Sequence, residues 1–243
     1  MRNVVLRPGS SGPFVRDLQL ALNNRLNPSP NLIVNGLISP QTQAALRSFQ
    51  RANWLEEDGI AGPCTLDALY DTETTRPVLH SLGYVSQPSL ETAWAAAIAM
   101  LKGVSLETVQ FLASQTLPDT TGELTTQRDN RALVDRNLAL AQALGLKYHP
   151  QRVWPVAVVV GLVQRAAIVL VFKAGSDKLG KGRTNSRYIV VAGARGSHAP
   201  DGTSTTFRVY DPAFGRDGGG IYSSTYTTLV QRRLDAAFGM LAL

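Results

Sequence analysis

Apolar positions recur at helical spacing through the first part of the chain and then change rhythm. Val15, Leu18 and Leu22 fall on one face after Pro13, and Leu46 and Phe49 repeat the arrangement after Pro40. Ser39, just before Pro40, reads as an N-cap whose hydroxyl accepts an amide proton of the first turn, and proline loses nothing at the first helical position. Gly62-Pro63 marks a third helix start in the same way, and Trp54 and Leu55 close the loop before it. Residues 6–70 are therefore expected to form three short helices around one small core.

Beyond Pro77, Leu90, Ala93, Trp94, Ala97 and Leu101 predict an alanine-rich helix over 89–102, with Ser89 as N-cap and Gly103 as its end. Apolar residues on nearly every side of it predict a central, buried helix. Further helices are expected over 105–114 and 130–144, the latter closed by Gly145. The longest apolar run, 156–163, reads as strand-like or core-like. Segments 166–173, 187–194 and 207–211 read as β-strands, with a turn at 199–203 joining the last two into a hairpin. Polar turns and a helix are expected over 222–240. The fold class is α+β: a small three-helix bundle, then helices followed by an antiparallel sheet.

Composition narrows the chemistry. The 243 residues are 44% hydrophobic and 17% charged, as in an ordinary globular protein. No apolar run approaches the roughly 18–20 residues that span a bilayer, so no membrane span is expected. One cysteine, Cys64, excludes an internal disulfide, and with three histidines it leaves no basis for a metal or cofactor site. Cys64 reads as a half-buried filler, and His149 and His198 as surface residues. The net charge of +6 is uneven: through Glu73 there are 6 basic and 7 acidic residues, leaving 18 basic against 11 acidic beyond. That step, with the polar segment 71–77, predicts domains at 1–73 and 77–243. Lys173, Lys178, Lys181, Arg183 and Arg187 form the densest basic stretch. Without interleaved aromatic residues it argues against nucleic acid and for a solvated loop facing an anionic protein partner.

The first segment also repeats. Gly36-Leu-Ile-Ser-Pro-Gln-Thr-Gln-Ala-Ala-Leu46 is echoed by Gly59-Ile-Ala-Gly-Pro-Cys-Thr-Leu-Asp-Ala-Leu69. Together with Gly9-x-x-Gly12-x-x-Val15-x-x-Leu18-Gln19, Phe49-Gln50 and Asp58-Gly59, this pattern resembles the three-helix peptidoglycan-binding domain of cell-wall hydrolases. Asn35-Gly36 stands where that family usually has Asp-Gly, and asparagine suits the turn equally well. The resemblance implies peptidoglycan as partner, with Arg47, Gln50, Asp58 and Thr65 as contacts by motif position.

In the second segment, Gln87, Ala93-Trp94, Arg187-Tyr-Ile-Val-Val-Ala-Gly193 and Asp211-Pro212 resemble the framework of a papain-like cysteine peptidase of the bacterial effector and bacteriocin-processing branch. In that family a glutamine supplies an oxyanion donor, a Cys-Trp pair opens the central helix, a strand-borne histidine is the base and an Asp-Pro acid orients it. Gln87, Trp94 and Asp211 match. Ala93 stands at the nucleophile position and Arg187 at the base position, and arginine stays protonated. Because Asp211 follows Arg187 by one hairpin, their side chains are expected to meet as a charge-assisted clamp.

The resulting expectation is a cell-wall-directed binding protein. Its degenerate papain-like domain serves as a docking or structural surface, within a phage-like or contractile injection assembly. The opening residues lack a signal-peptide pattern, so synthesis in the bacterial cytoplasm and delivery by a non-Sec route are expected. Two alternatives stay open: an active cysteine peptidase or amidase effector carried as a cysteine-to-alanine variant at position 93, and a purely structural subunit without wall binding.

Overall fold

A computed structural model describes residues 4–89, 92–117, 130–173, 186–197, 199–213, 220–230 and 237–243. Each of the first three helices begins at a proline: α1 (Pro13–Arg25), α2 (Pro40–Ala52) and α3 (Pro63–Leu69). Ser39 Oγ accepts the Thr42 amide at 3.2 Å, as the capping reading requires. Val15, Leu18 and Leu22 of α1 pack with Leu46 and Phe49 of α2 and Leu66 and Leu69 of α3, and Leu6, Leu32 and Leu55 complete this core.

The remainder opens with a two-residue strand, β1 (Val78–Leu79), and three helices, α4 (Ala93–Lys102), α5 (Leu106–Thr116) and α6 (Asn130–Ala143). Then come β2 (Lys147–Arg152), α7 (Val156–Val163), β3 (Ile168–Lys173), β4 (Ser186–Gly196), β5 (Thr205–Asp211), β6 (Gly220–Thr225), the single-turn α8 (Tyr226–Thr228) and β7 (Phe238–Ala242). The strands form one antiparallel sheet in the order β2-β7-β3-β4-β5-β6, and β1 pairs with β4 where β3 has stopped. The molecule is thus α+β, with a helical N-terminal part.

Strand alternation splits the second core in two. One face carries Val169, Val171, Tyr188, Val190 and Leu241 against α4, α5 and α6. The other carries Ile168, Leu170, Phe172, Ile189, Val191 and Val209 against α7. Helix α4 is buried along its length from Ala93 to Leu101, and it ends at Gly103, whose φ of 65° is the left-handed cap that glycine supplies.

Three expectations change. The run 156–163 is a helix, not a strand: Val156, Val159, Val160 and Val163 are its buried positions, at helical spacing, and packing against the sheet overrides the β-branched preference for strands. Helix α4 starts at Ala93 behind Thr92, whose hydroxyl donates to Ser89 O at 2.9 Å, so Ser89 is not its N-cap. The C-terminal region forms two strands and one helical turn within the expected turns and helix. Its strand β7 is buried at every position between β2 and β3 and so shows no alternation. Among the described residues, no single helix is long and apolar enough to cross a membrane.

Candidate functional site

The internal repeat builds two turns of the same design. Gln19 on α1 is buried; its Nε2 donates to Asn35 Oδ1 (3.1 Å), Leu37 O (2.9 Å) and Thr42 Oγ1 (3.3 Å), and its Oε1 accepts the Gly36 amide (2.9 Å). Gln50 on α2 does the same with Asp58 Oδ1 (2.8 Å), Ile60 O (3.0 Å), Thr65 Oγ1 (3.2 Å) and the Gly59 amide (2.8 Å). Asn35 and Asp58 each accept the amide two residues on, which closes the turn. Gly36 and Gly59 sit at φ of 76° and 74°, where a side chain is strained, and Arg16 and Arg47 lie across them. The structure therefore brings Arg47, Gln50, Asp58 and Thr65 together. Gln50 and Thr65 are buried framework with their polar groups engaged, whereas Asp58 is exposed and uses only Oδ1 among the described residues. Val15-Arg16-x-Leu18-Gln19 and Leu46-Arg47-x-Phe49-Gln50 carried the signal for the matching helix halves, which sequence reading left unused.

In the second domain Arg187 Nη2 donates to Asp211 Oδ2, so the expected clamp forms. Asp211 is fully buried; its Oδ1 accepts the Ala213 amide at 3.1 Å, and the Tyr222 hydroxyl stands 3.5 Å from Oδ2. The Arg187 Nε is buried and has no hydrogen-bond partner among the described residues. Tyr84 OH donates to Asp211 O (2.9 Å) and the Gln87 amide to Pro212 O (2.8 Å), which fastens the Gln87 segment beside the clamp. Arg187 pairs across the sheet with Phe172 and precedes Tyr188, so alternation assigns it to the α7 face. Ala93 and Trp94 belong to the core on the α4 face, with Tyr188 and Val190, and the Trp94 indole N–H is buried without a partner among the described residues.

Two histidine and cysteine expectations are also revised. His149 is half-buried against the edge of Trp154, with Nε2 buried, and burial, with Lys147 and Arg152 nearby, holds its pKa below the usual range. Cys64 is buried rather than half-buried. His198, Lys178, Lys181 and Arg183 lie outside the described residues. Among the described residues, no cluster of histidine, cysteine and carboxylate side chains is placed to hold a metal ion.

Comparison with known proteins now bears on the first region. Residues 11–69 match the family model described as "Putative peptidoglycan binding domain". The zinc D-Ala-D-Ala carboxypeptidase of Streptomyces albus G is 40% identical over 68 residues, which are 28% of this chain and 27% of that protein. The chain thus spans about a quarter of that relative's length. The SleB N-terminal domain is 36% identical, over 29% of this chain and 93% of that one, with a TM-score of 0.27. The segment is a peptidoglycan-binding-type domain. For the second region, a double glycine motif protease from an AMS/PCAT transporter, solved with its leader peptide, is 12% identical over 70% of this chain and 100% of that one, with a TM-score of 0.37.

The second turn of the peptidoglycan-binding-type domain faces the sheet domain. Cys64 Sγ donates to Thr203 O at 3.3 Å, Glu56 Oε2 accepts the Thr225 amide and the Thr228 hydroxyl (both 3.2 Å), and Ser197 Oγ donates to Asp67 Oδ2 at 2.7 Å. Burial pushes the Cys64 thiol up to about 12, a shift that the Thr206 side chain opposes and Asp67, Glu56 and Glu73 reinforce. Such a thiol is no nucleophile near neutral pH. Between the domains lies a cleft of about 180 Å³, lined by Glu56, Asp58 and Thr65 from one side and by Thr203, Thr206, Thr225 and Thr228 from the other.

Proposed function

We propose that the protein binds peptidoglycan through its first domain, while the second serves as a docking or structural surface without peptidase activity. The observation that carries the first part is the pair of glutamine-framed glycine turns within the segment that matches the peptidoglycan-binding family model. The turns hold Arg16, Asn35, Arg47 and Asp58 at fixed positions on the domain, which keeps the entropic cost of engaging a polymer low. Co-sedimentation with insoluble peptidoglycan tests it: the full chain pellets with the wall, and a chain that stays in the supernatant overturns the reading.

The second part rests on side-chain chemistry. Ala93 has no nucleophile and Arg187, tied to Asp211, has no basic lone pair to offer. Because Ala93 lies on the α4 face of the sheet and Arg187 on the α7 face, a variant with both Ala93→Cys and Arg187→His is expected to gain no peptide hydrolysis. Hydrolysis by the chain as it stands overturns this part. A protein partner of acidic character at the basic second domain belongs to the same proposal.

A further inference from the structure

The interdomain cleft joins the second glycine turn to residues of the sheet domain, and its chemistry is one-sided. The hydroxyl protons along its walls are already committed: Thr225 Oγ1 donates to Thr228 Oγ1 (2.9 Å), Thr228 to Glu56 Oε2 (3.2 Å), Thr203 to Asp201 Oδ1 (2.9 Å) and Thr65 to Ile60 O (3.4 Å). The exception is Thr206, whose wholly buried hydroxyl has no oxygen or nitrogen partner among the described residues and lies by the Cys64 thiol. What remains for a ligand is acceptors. Asp58 keeps Oδ2 and Glu56 keeps Oε1, since every hydrogen bond they make among the described residues uses the other oxygen. No lysine, arginine or histidine is among the described residues lining the cleft, although the chain as a whole carries +6.

A space rich in acceptors and negative charge, with its donors spent, favours a ligand that brings several N–H donors and a positive charge. A sugar, whose hydroxyls must both give and take, is matched less well. From this, and resting on the wall-binding reading above, we infer that the cleft between the domains receives the free ammonium group of a peptidoglycan stem peptide, held by Asp58 and Glu56. The first turn is a built-in comparison: it repeats the frame of Gln19, Gly36 and Thr42, but asparagine replaces the carboxylate at Asn35 and Ile33 stands at the place of Glu56. The second turn alone thus carries both carboxylates, and it is the one that faces the sheet domain.

The test titrates the ¹⁵N-labelled full chain with a soluble muropeptide carrying a free side-chain amine, and with the same muropeptide after N-acetylation. Amide shifts are expected at residues 60–62, 64–65, 206 and 225–228, with acetylation weakening binding about tenfold. Asp58→Asn is expected to lose about tenfold toward the free-amine form and nothing toward the acetylated form, with an unchanged amide spectrum elsewhere as the folding control. Equal affinity for both muropeptides, or shifts confined to residues 35–38, overturns the proposal. If the chain then still sediments with insoluble peptidoglycan, wall binding stands and only the ammonium site falls. A chain that binds neither muropeptide and does not sediment overturns both.

Discussion

Arg195 of β4 and Glu73 of the interdomain segment form a bidentate pair, Nε to Oε1 at 2.7 Å and Nη2 to Oε2 at 2.9 Å, with side chains only 8% and 12% exposed. The remaining guanidinium nitrogen, Nη1, donates to Asn53 O at the end of α2, and the group lies 5.2 Å from the Trp54 ring. One side chain therefore ties the peptidoglycan-binding-type domain, the connecting segment and the sheet together. Removing one partner of a buried pair strands the other charge, at a cost of about 3–5 kcal/mol. Arg195→Ala is expected to lower stability by that order in urea unfolding and to expose 71–77 to proteolysis. Arg195→Lys should not restore it, because an ammonium cannot fork to both carboxylate oxygens and reach Asn53 as well.

The same segment is fastened again by β1. A Cβ on Gly193 would stand 2.6 Å from Val78 O, closer than a side chain tolerates, so the approach of β1 to β4 depends on glycine there. Gly193→Ala is expected to displace β1 and to free the His80 amide, now bonded to Ala192 O at 2.8 Å. Hydrogen exchange at His80 should accelerate while exchange in β3 remains slow, since its pairing with β4 lies on residues 186–191.

Gln19 and Gln50 make four hydrogen bonds each, to matching partners, so they are predicted to be equivalent in stability despite differing in function. Replacing either by leucine leaves a buried glycine amide without its acceptor, while the turn carbonyl and the threonine hydroxyl keep their other partners. The expected loss is about 1–3 kcal/mol, the scale of one buried group left unsatisfied. Thermal unfolding of Gln19→Leu and Gln50→Leu should give similar decreases. Only the second should perturb the amides of Thr203 and Thr225, because only the second turn faces the sheet domain.

How far the sequence reached can be followed residue by residue. The three helix starts were legible because proline and its capping neighbour act locally, within one turn. The meeting of Arg187 with Asp211 was legible because a hairpin converts spacing along the chain into adjacency across strands. Helix α7 was not, since valine favours strands and only packing on the sheet decides otherwise. Strand β7 was hidden for the opposite reason: buried on both faces, it has no polar positions to mark a period. Gln50 and Thr65 frame the second turn, a role the motif did not show, because a motif tells which residues recur and not which of them hold the turn. The cleft was out of reach altogether, because it joins Asp58 to Thr225 across a domain contact that no local pattern records.

Cys64 supplies a pH-dependent prediction whose sign is fixed by its burial. Its thiol is raised from 9.0 to about 12 in the folded chain, so the folded state disfavours the thiolate relative to the unfolded one. Below the unfolded value both states carry the neutral thiol, and the full stability is present. As pH rises through the window from 9.0 to about 12, the unfolded chain ionises first and draws the equilibrium toward itself, so stability is lost across that window. Cys64→Ala removes the titrating group and should flatten this part of the stability–pH curve, at the expense of the Thr203 contact at all pH values. The same burial makes the native thiol unreactive toward an aromatic disulfide reagent at pH 8, with one equivalent released on unfolding in urea. Rapid labelling of the folded protein at pH 8 would show that the contact between Cys64 and Thr203 opens in solution, and with it the interdomain cleft.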